Sequence, residues 1–186
     1  MQKDANEYAR KYEQCLKHAP MIHQSTGNLN PINSPWPFAQ WGLDIVGPFP
    51  RATGNRRFVL VAVDFFTKWA EAKALANIRD LDVKKFVWRN IVTRFRVPES
   101  LMSNNKLQFD RKAFREFCGS LGITNWYSTS AYPRSNDQVE ATNKAIVNGL
   151  KRRLEGAKGR WAEELPNVLW AYQTTSRRSM GEILFS

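Results

Sequence analysis

The order of strand-like and helix-like segments constrains the fold of this chain more than any other feature. Three apolar, β-rich segments lie within residues 40–75, and from Asp80 onward helical periodicity alternates with short strand-like runs. The apolar residues of the first predicted helix recur at three- and four-residue spacing: Val83, Phe86, Val87, Ile91 and Phe95. This order predicts an α/β layer fold with a mixed sheet flanked by helices.

Turn and cap residues predict where these elements begin and end. We expect Asp80 or Asp82 to cap the first helix, and Asp110 to cap the second, which Gly122 ends. Residues 131–138 are polar and contain proline, which predicts a loop. A long helix and a last, shorter helix are predicted to follow it.

The chain divides into three parts by composition. Residues 1–24 are polar and predicted to be helical, and residues 25–38 are rich in Pro, Asn and Ser, which is typical of an extended linker. The predicted strands and helices all fall in residues 39–186. We therefore predict one folded domain preceded by a small appendage.

Charge and cysteine usage bear on partners and location. Lys and Arg number 28 against 17 Asp and Glu, so 28 − 17 gives a net charge of +11. This excess favours a nucleic-acid partner, although a merely basic surface gives the same count. Apolar runs are too short to cross a bilayer, and with only Cys15 and Cys118 a disulfide scaffold is not expected. We predict an intracellular protein, nuclear or cytoplasmic, with no membrane partner.

Three positions carry the candidate chemistry. Asp44 lies inside the apolar strand segment WGLDIVGPF, where a carboxylate is costly unless its charge is used. Asn104 follows a later strand in SNNKLQF, and Glu140 lies near a helix start in SNDQVEATNK. The spacing 140 − 104 − 1 leaves 35 residues between the last two positions.

This order resembles the catalytic core of retroviral and LTR-retrotransposon integrases, most closely the gypsy class. The resemblance also covers the segments DFFTKWAEA, FCGSLGI and WAEELPNVLWAYQTT, and it extends over residues 35–186. It implies a ribonuclease H-like fold, in which helices flank a five-stranded mixed sheet. It also implies phosphoryl transfer with two Mg²⁺ or Mn²⁺ ions held by three carboxylates, at positions matching Asp44, Asn104 and Glu140.

The sequence departs from the family pattern at the second acidic position. Asn104 keeps the shape of aspartate but lacks its negative charge, so we expect weak Mg²⁺ binding, if any, and little or no strand-transfer activity. Lys106 and Asp137 stand where the family has glycine, and a backbone with φ > 0 would be costly for either residue. We interpret the chain as a degenerate copy, decayed or domesticated, and leave open whether it is an enzyme.

The first residues resemble the end of the family's zinc-binding module. Of its two cysteine ligands only Cys15 is matched, because Tyr12 occupies the other position. Cys15, His18 and His23 make three candidate ligands, whereas a structural Zn²⁺ site needs four. We predict a remnant of this module without zinc.

One face of the predicted long helix is basic. Glu140, Lys144 and Lys151 recur at three- or four-residue spacing and share one side of the helix. The resemblance supports DNA contacts by Asn143 and Lys144, and the charge continues through Lys151 and Arg152. The alternative is a solvated basic face with an internal pair between Glu140 and Lys144.

Two functions from different classes remain open. The first is an integrase core-like domain that binds DNA, for which a second copy of the chain is one candidate partner. The second is a non-catalytic protein-interaction or regulatory module built on a repurposed core. Salt-dependent DNA binding separates the two, since phosphate contacts release counterions.

Overall fold

The computed structural model describes residues 34–104, 107–128, 133–153 and 158–175. The predicted module remnant at residues 1–24, with its zinc candidates, lies outside these ranges, as do most of the predicted linker and Lys106.

Five strands form one mixed sheet. They are β1 (Gln40–Val46), β2 (Phe58–Asp64), β3 (Ala70–Leu75), β4 (Ser100–Asn104) and β5 (Thr124–Ser128). Their order across the sheet is β3-β2-β1-β4-β5. The pairs β1–β2 and β2–β3 are antiparallel, whereas β1–β4 and β4–β5 are parallel. This topology confirms the five-stranded mixed sheet predicted from the sequence.

Helices cover both faces of the sheet. They are α1 (Asp80–Phe86), which continues as a π-helix over Val87–Val92, α2 (Leu107–Asp110), α3 (Lys112–Ser120), α4 (Pro133–Arg153) and α5 (Trp161–Thr174). Short 3₁₀ turns occupy Thr53–Asn55 and Lys158–Arg160. Within the described ranges, no helix is both long and apolar enough to cross a bilayer.

The helix caps differ in part from the prediction. Arg79 is the N-cap of α1, and Asp82 acts from inside the first turn by accepting the Arg79 backbone N–H at 3.3 Å. The N-cap of α3 is Arg111, not Asp110. Gly122 ends that helix as predicted: its φ of +71° lets the Ile123 N–H return to the Cys118 carbonyl at 2.9 Å.

The start of α4 was predicted wrongly. The helix begins at Pro133 rather than at Val139, so residues 133–138 are helical and not a loop. Proline suits the first turn because its fixed φ matches the helix and its missing N–H needs no partner there. Asp137 therefore lies within helical backbone, and the expected cost of a positive φ does not apply to it.

Two apolar layers hold the helices onto the sheet, because successive strand residues face opposite sides. In β1, Trp41 and Leu43 join the layer under α1 and α3. The opposite layer joins strand β2 to α4 and α5; its members include Val61, Val63, Val139, Ile146, Leu150, Leu165 and Val168. Gly42 and Asp44, which alternate with Trp41 and Leu43, face this second layer.

Helix α4 approaches β1 most closely at Gly42. A Cβ atom built on Gly42 would overlap Val139 Cγ2 and lie 2.8 Å from Phe65 Cζ. The missing side chain therefore lets α4 lie directly on the strand that carries Asp44.

Gly42→Ala is expected to destabilise the fold by about 1–3 kcal/mol, because the new methyl group overpacks the contact between α4 and β1. Gly119 provides the control, since a Cβ there meets no atom within 4 Å. Gly119→Ala, within α3, should stabilise by about 0.5–1 kcal/mol. Urea unfolding of both variants measures the difference, and equal effects would contradict the close approach.

Candidate active site

Asp44 is the buried carboxylate of the sheet face beneath α4. It is 8% exposed and lies in β1, where it pairs across the sheet with Val61 of β2. A buried carboxylate needs polar partners, because its transfer out of water is costly.

Asn143 of α4 supplies one such partner. Its Nδ2 donates a hydrogen bond of 2.6 Å to Asp44 Oδ2, and Asn143 is itself only 7% exposed. Hydrogen bonds to an ionised acceptor are short and strong, and this one fixes the orientation of the carboxylate. Asn143 Oδ1 is buried and finds no hydrogen-bond donor among the described residues, so a hard oxygen acceptor remains beside the carboxylate.

The backbone of Asn104 comes alongside Asp44 on the neighbouring strand. Leu43 of β1 pairs with Ser103 of β4, so the next residues along these parallel strands are Asp44 and Asn104. Asn104 ends β4 and pairs on its other side with Ser128 of β5. The side chain of Asn104 lies outside the described part of the structure.

Glu140 reaches the same face of the sheet through α4. It is half-buried and precedes Asn143 by three residues, which is nearly one helical turn. Asp44 and Glu140 therefore lie on the same face of the sheet. Placement on opposite faces would have excluded a shared site. No group of three His, Cys, Asp or Glu that could hold a metal occurs among the described residues. Joint metal binding by these positions stays a prediction.

The residues predicted to contact DNA separate into two kinds. Lys144, Lys151 and Arg152 are exposed on α4. Asn143 is buried, and its amide nitrogen donates a hydrogen bond to Asp44. This bond positions the Asp44 carboxylate, whereas DNA contact by Asn143 stays a prediction. The sequence signal for this role was its place among core residues: Val139 and Ile146, four residues before and three after, are both buried.

A tight turn between β2 and β3 supports α4 and was missed in the sequence analysis. Lys68 Nζ donates to the Phe65 carbonyl and to Gln138 Oε1, both at 2.7 Å, and so joins the turn to the helix. Asp64 accepts the Thr67 N–H and hydroxyl, both at 2.7 Å, and burial raises the pKa of its carboxyl group. In the sequence this turn lies in the segment DFFTKWAEA, which the family resemblance covers but to which the sequence analysis gives no structural role.

Sequence comparison finds relatives among retroviral polyproteins, while no protein-family profile matches the chain. The Gag-Pol polyproteins of koala retrovirus and feline leukemia virus are each 33% identical over 141 residues, 75% of this chain and 8% of theirs. The Pro-Pol polyprotein of simian foamy virus type 3 is 28% identical over 190 residues, 100% of this chain and 16% of that protein. The chain thus spans a small part of each relative's length.

Solved structures share the fold. The simian T-cell lymphotropic virus intasome in complex with the PP2A regulatory subunit B56 gamma matches with a TM-score of 0.71 and 18% identity, over 93% of this chain and 63% of that one. The HTLV-2 integrase catalytic core domain in complex with magnesium, in a trimeric form, matches with a TM-score of 0.66 and 18% identity, over 80% and 95%. The chain therefore has the ribonuclease H-like fold of integrase catalytic cores, and its similarity to retroviral polyproteins supports a retroviral integrase-like domain.

Proposed function

We propose that this chain is an integrase core-like domain that binds DNA along α4 and has little or no strand-transfer activity. The observation that carries the proposal is the buried Asp44 carboxylate, held by Asn143 at 2.6 Å beside the β4 end where Asn104 stands. A fold needs no buried carboxylate at this point, since an apolar residue would pack there without a desolvation cost.

We infer from the charges at these positions that the site suits one magnesium ion rather than two. Asp44 and Glu140 offer carboxylates. Asn143 Oδ1 is a buried oxygen that accepts no hydrogen bond from the described residues. These oxygens are hard ligands of the kind that a single magnesium ion prefers. Two divalent ions bring four positive charges against two carboxylates, because Asn104 is neutral. The residues therefore do not fit the ion pair of the resembled family.

The chain's own residues have distinct roles in this proposal. Asn143 orients the Asp44 carboxylate, and α4 holds Glu140 over the same face. Lys144 and Lys151 attract phosphate on the exposed side of the helix. A magnesium ion bound at this site would polarise a phosphate oxygen as a Lewis acid.

The class of genetic element from which the chain comes is also part of the proposal. We infer that the chain comes from a gypsy-class retrotransposon, which the motifs around Asp44, Asn104 and Glu140 resemble, and that Asn104 and Lys106 mark a degenerate copy. A lost carboxylate is compatible with both decay and domestication.

DNA binding should depend on exposed cations of α4. Changing Lys144 and Lys151 to Gln together should weaken binding of a labelled duplex and lower the slope of log K against log salt by about 0.9 per lost phosphate contact. Lys85 and Lys112, exposed on other helices, give a charge-matched control when both are changed to Gln. Fluorescence anisotropy over a salt series makes the comparison. Equal losses in the two double variants, or no binding by the unaltered chain at low salt, would favour the interaction-module alternative.

Restoring the third carboxylate should strengthen magnesium binding. Asn104→Asp adds one negative charge at nearly constant volume, so calorimetry should detect tighter Mg²⁺ binding than in the unaltered chain. Asn105→Asp adds the same charge one residue along the chain and is the control. No gain from Asn104→Asp, or an equal gain from Asn105→Asp, would show that position 104 is not a metal position. Mg²⁺-dependent nicking by the unaltered chain that Glu140→Gln abolishes would contradict an inactive site.

We propose that a second copy of the chain binds at the free side of strand β3. Trp88 beside α1 is 46% exposed and Trp170 of α5 is 66% exposed. The two helical segments that carry these tryptophans both pack on β3. Asn90 donates a hydrogen bond to Glu71, and Gln173 donates one to the Ala70 carbonyl. Exposed tryptophans are frequent anchors of protein interfaces. Trp170→Ser should shift the chain toward the monomer in analytical ultracentrifugation, and Trp126→Ser, at an exposed tryptophan of strand β5, should not.

A further inference from the structure

The loop between β1 and β2 carries three arginines within the seven residues 51–57. Arg51 and Arg56 are exposed, and Arg57 is half-buried. Within the described ranges their side chains form no hydrogen bond or ion pair, and Arg57 Nε is buried without an acceptor. Because polar and charged groups of a folded protein usually have partners, this loop has the character of a surface that awaits an anionic ligand.

Contacts with α5 hold the loop in one shape. Trp161 donates from Nε1 to the Pro50 carbonyl at 2.7 Å, and its ring centre lies 4.9 Å from that of Phe49. The turn closes where the Ala52 N–H donates to the Arg56 carbonyl at 3.0 Å. A loop that is already ordered loses little conformational freedom when a ligand binds, so the backbone that carries the arginines is pre-organised.

The loop lies at the carboxyl-terminal end of α4, because α4 and β1 run side by side in the same direction. Gly42 of β1 lies against Val139, and Asp44, two residues further on, lies against Asn143. The ten residues from Asn143 to the helix end at Arg153 extend about 15 Å at 1.5 Å per residue. The same length equals about four to five strand residues, which leads from Asp44 past the end of β1 and into the loop.

Neighbouring acidic residues do not cancel the charge of the loop. Glu163 accepts a hydrogen bond from Thr53 at 2.9 Å and places one negative charge beside it. Glu164, the next residue, is paired with Arg153 at 3.3 Å. Three guanidinium groups against the Glu163 carboxylate leave the loop with an excess of positive charge, which attracts an anion.

We propose that the β1–β2 loop, residues 47–57, binds the sugar-phosphate backbone of nucleic acid beyond the end of α4. The proposal rests on the proposed DNA binding along α4 and deepens it by adding a second set of contacts. The planar fork of a guanidinium group matches two oxygens of one phosphate. A duplex strand presents a phosphate about every 3.4 Å along its axis, so a strand that follows α4 continues over the loop. This alignment favours an extended phosphate chain over inorganic phosphate or an acidic peptide.

Replacement of Arg51 and Arg56 tests the loop directly. Both side chains are exposed, so Gln at both positions removes two charges without disturbing the packed core. We expect this double variant to bind a labelled duplex several-fold more weakly and to lower the slope of log K against log salt by about 0.9 per lost phosphate contact. Lys at both positions keeps the charges and should restore most of the binding. Fluorescence anisotropy over a salt series measures binding, and urea unfolding checks that each variant is folded.

Arg89 and Arg96, which are exposed and lie outside the loop, provide the matched control when both are changed to Gln. This control should change the salt slope much less than the loop variant does. Equal losses in the two Gln variants, or a Lys variant that binds as weakly as the Gln variant, would contradict phosphate contacts by the loop.

The outcomes separate this proposal from the proposed function. If the loop variant behaves like the control while the change of Lys144 and Lys151 to Gln still weakens binding, the loop is not a nucleic-acid surface and the proposed function stands. If the unaltered chain binds no duplex at low salt, the proposed function fails and this inference with it. Displacement of the duplex by inorganic phosphate at matched phosphate concentration and ionic strength would overturn the proposal in favour of a compact anion. Tighter binding of poly-glutamate than of duplex, dependent on Arg51 and Arg56, would overturn it in favour of an acidic protein partner.

Discussion

The hydrogen bond between Asn143 and Asp44 connects the sheet, the long helix and the candidate chemistry. It joins the middle of β1 to α4 at 2.6 Å, with both residues nearly inaccessible to water. The contact depends on Gly42, since a larger residue there would meet Val139 and prevent α4 from lying on the strand. One close approach between backbone and helix thus determines where the carboxylate points and where Glu140 lies.

Charge balance explains why the same geometry need not give the same chemistry. Two divalent ions close together require several carboxylates, because each carboxylate offsets part of their mutual repulsion. Asn104 occupies the register position beside Asp44 without a charge. A neutral residue at this strand end suits the fold when no metal is bound, since it avoids repulsion with nearby carboxylates. Catalytic competence can therefore be lost while the domain keeps its architecture and its basic surface.

The sequence predicted the sheet because β1 and β2 have apolar runs bounded by turn residues, and these leave few alternatives to a buried strand. It failed at Pro133, where Arg, Ser, Asn and Asp resemble a loop although the segment is the first part of α4. Local composition could not reveal this, because the helix is fixed by its contacts with β1 and α5. Asn143 was assigned to DNA from a motif, although its helical spacing from the apolar residues Val139 and Ile146 already indicated a buried position. The contact between the β2–β3 turn and α4 could not be predicted, since Lys68 reaches Gln138 across 70 residues of chain.

The metal occupancy of crystals soaked in Mn²⁺ tests the central claim most directly. Anomalous scattering counts the ions at the Asp44 end of the sheet without requiring activity or bound DNA. We predict at most one weakly occupied manganese between Asp44 and Glu140 in the unaltered chain, and a second in Asn104→Asp. Two well-occupied ions in the unaltered chain would contradict the account, because they would show that Asn104 does not limit the site.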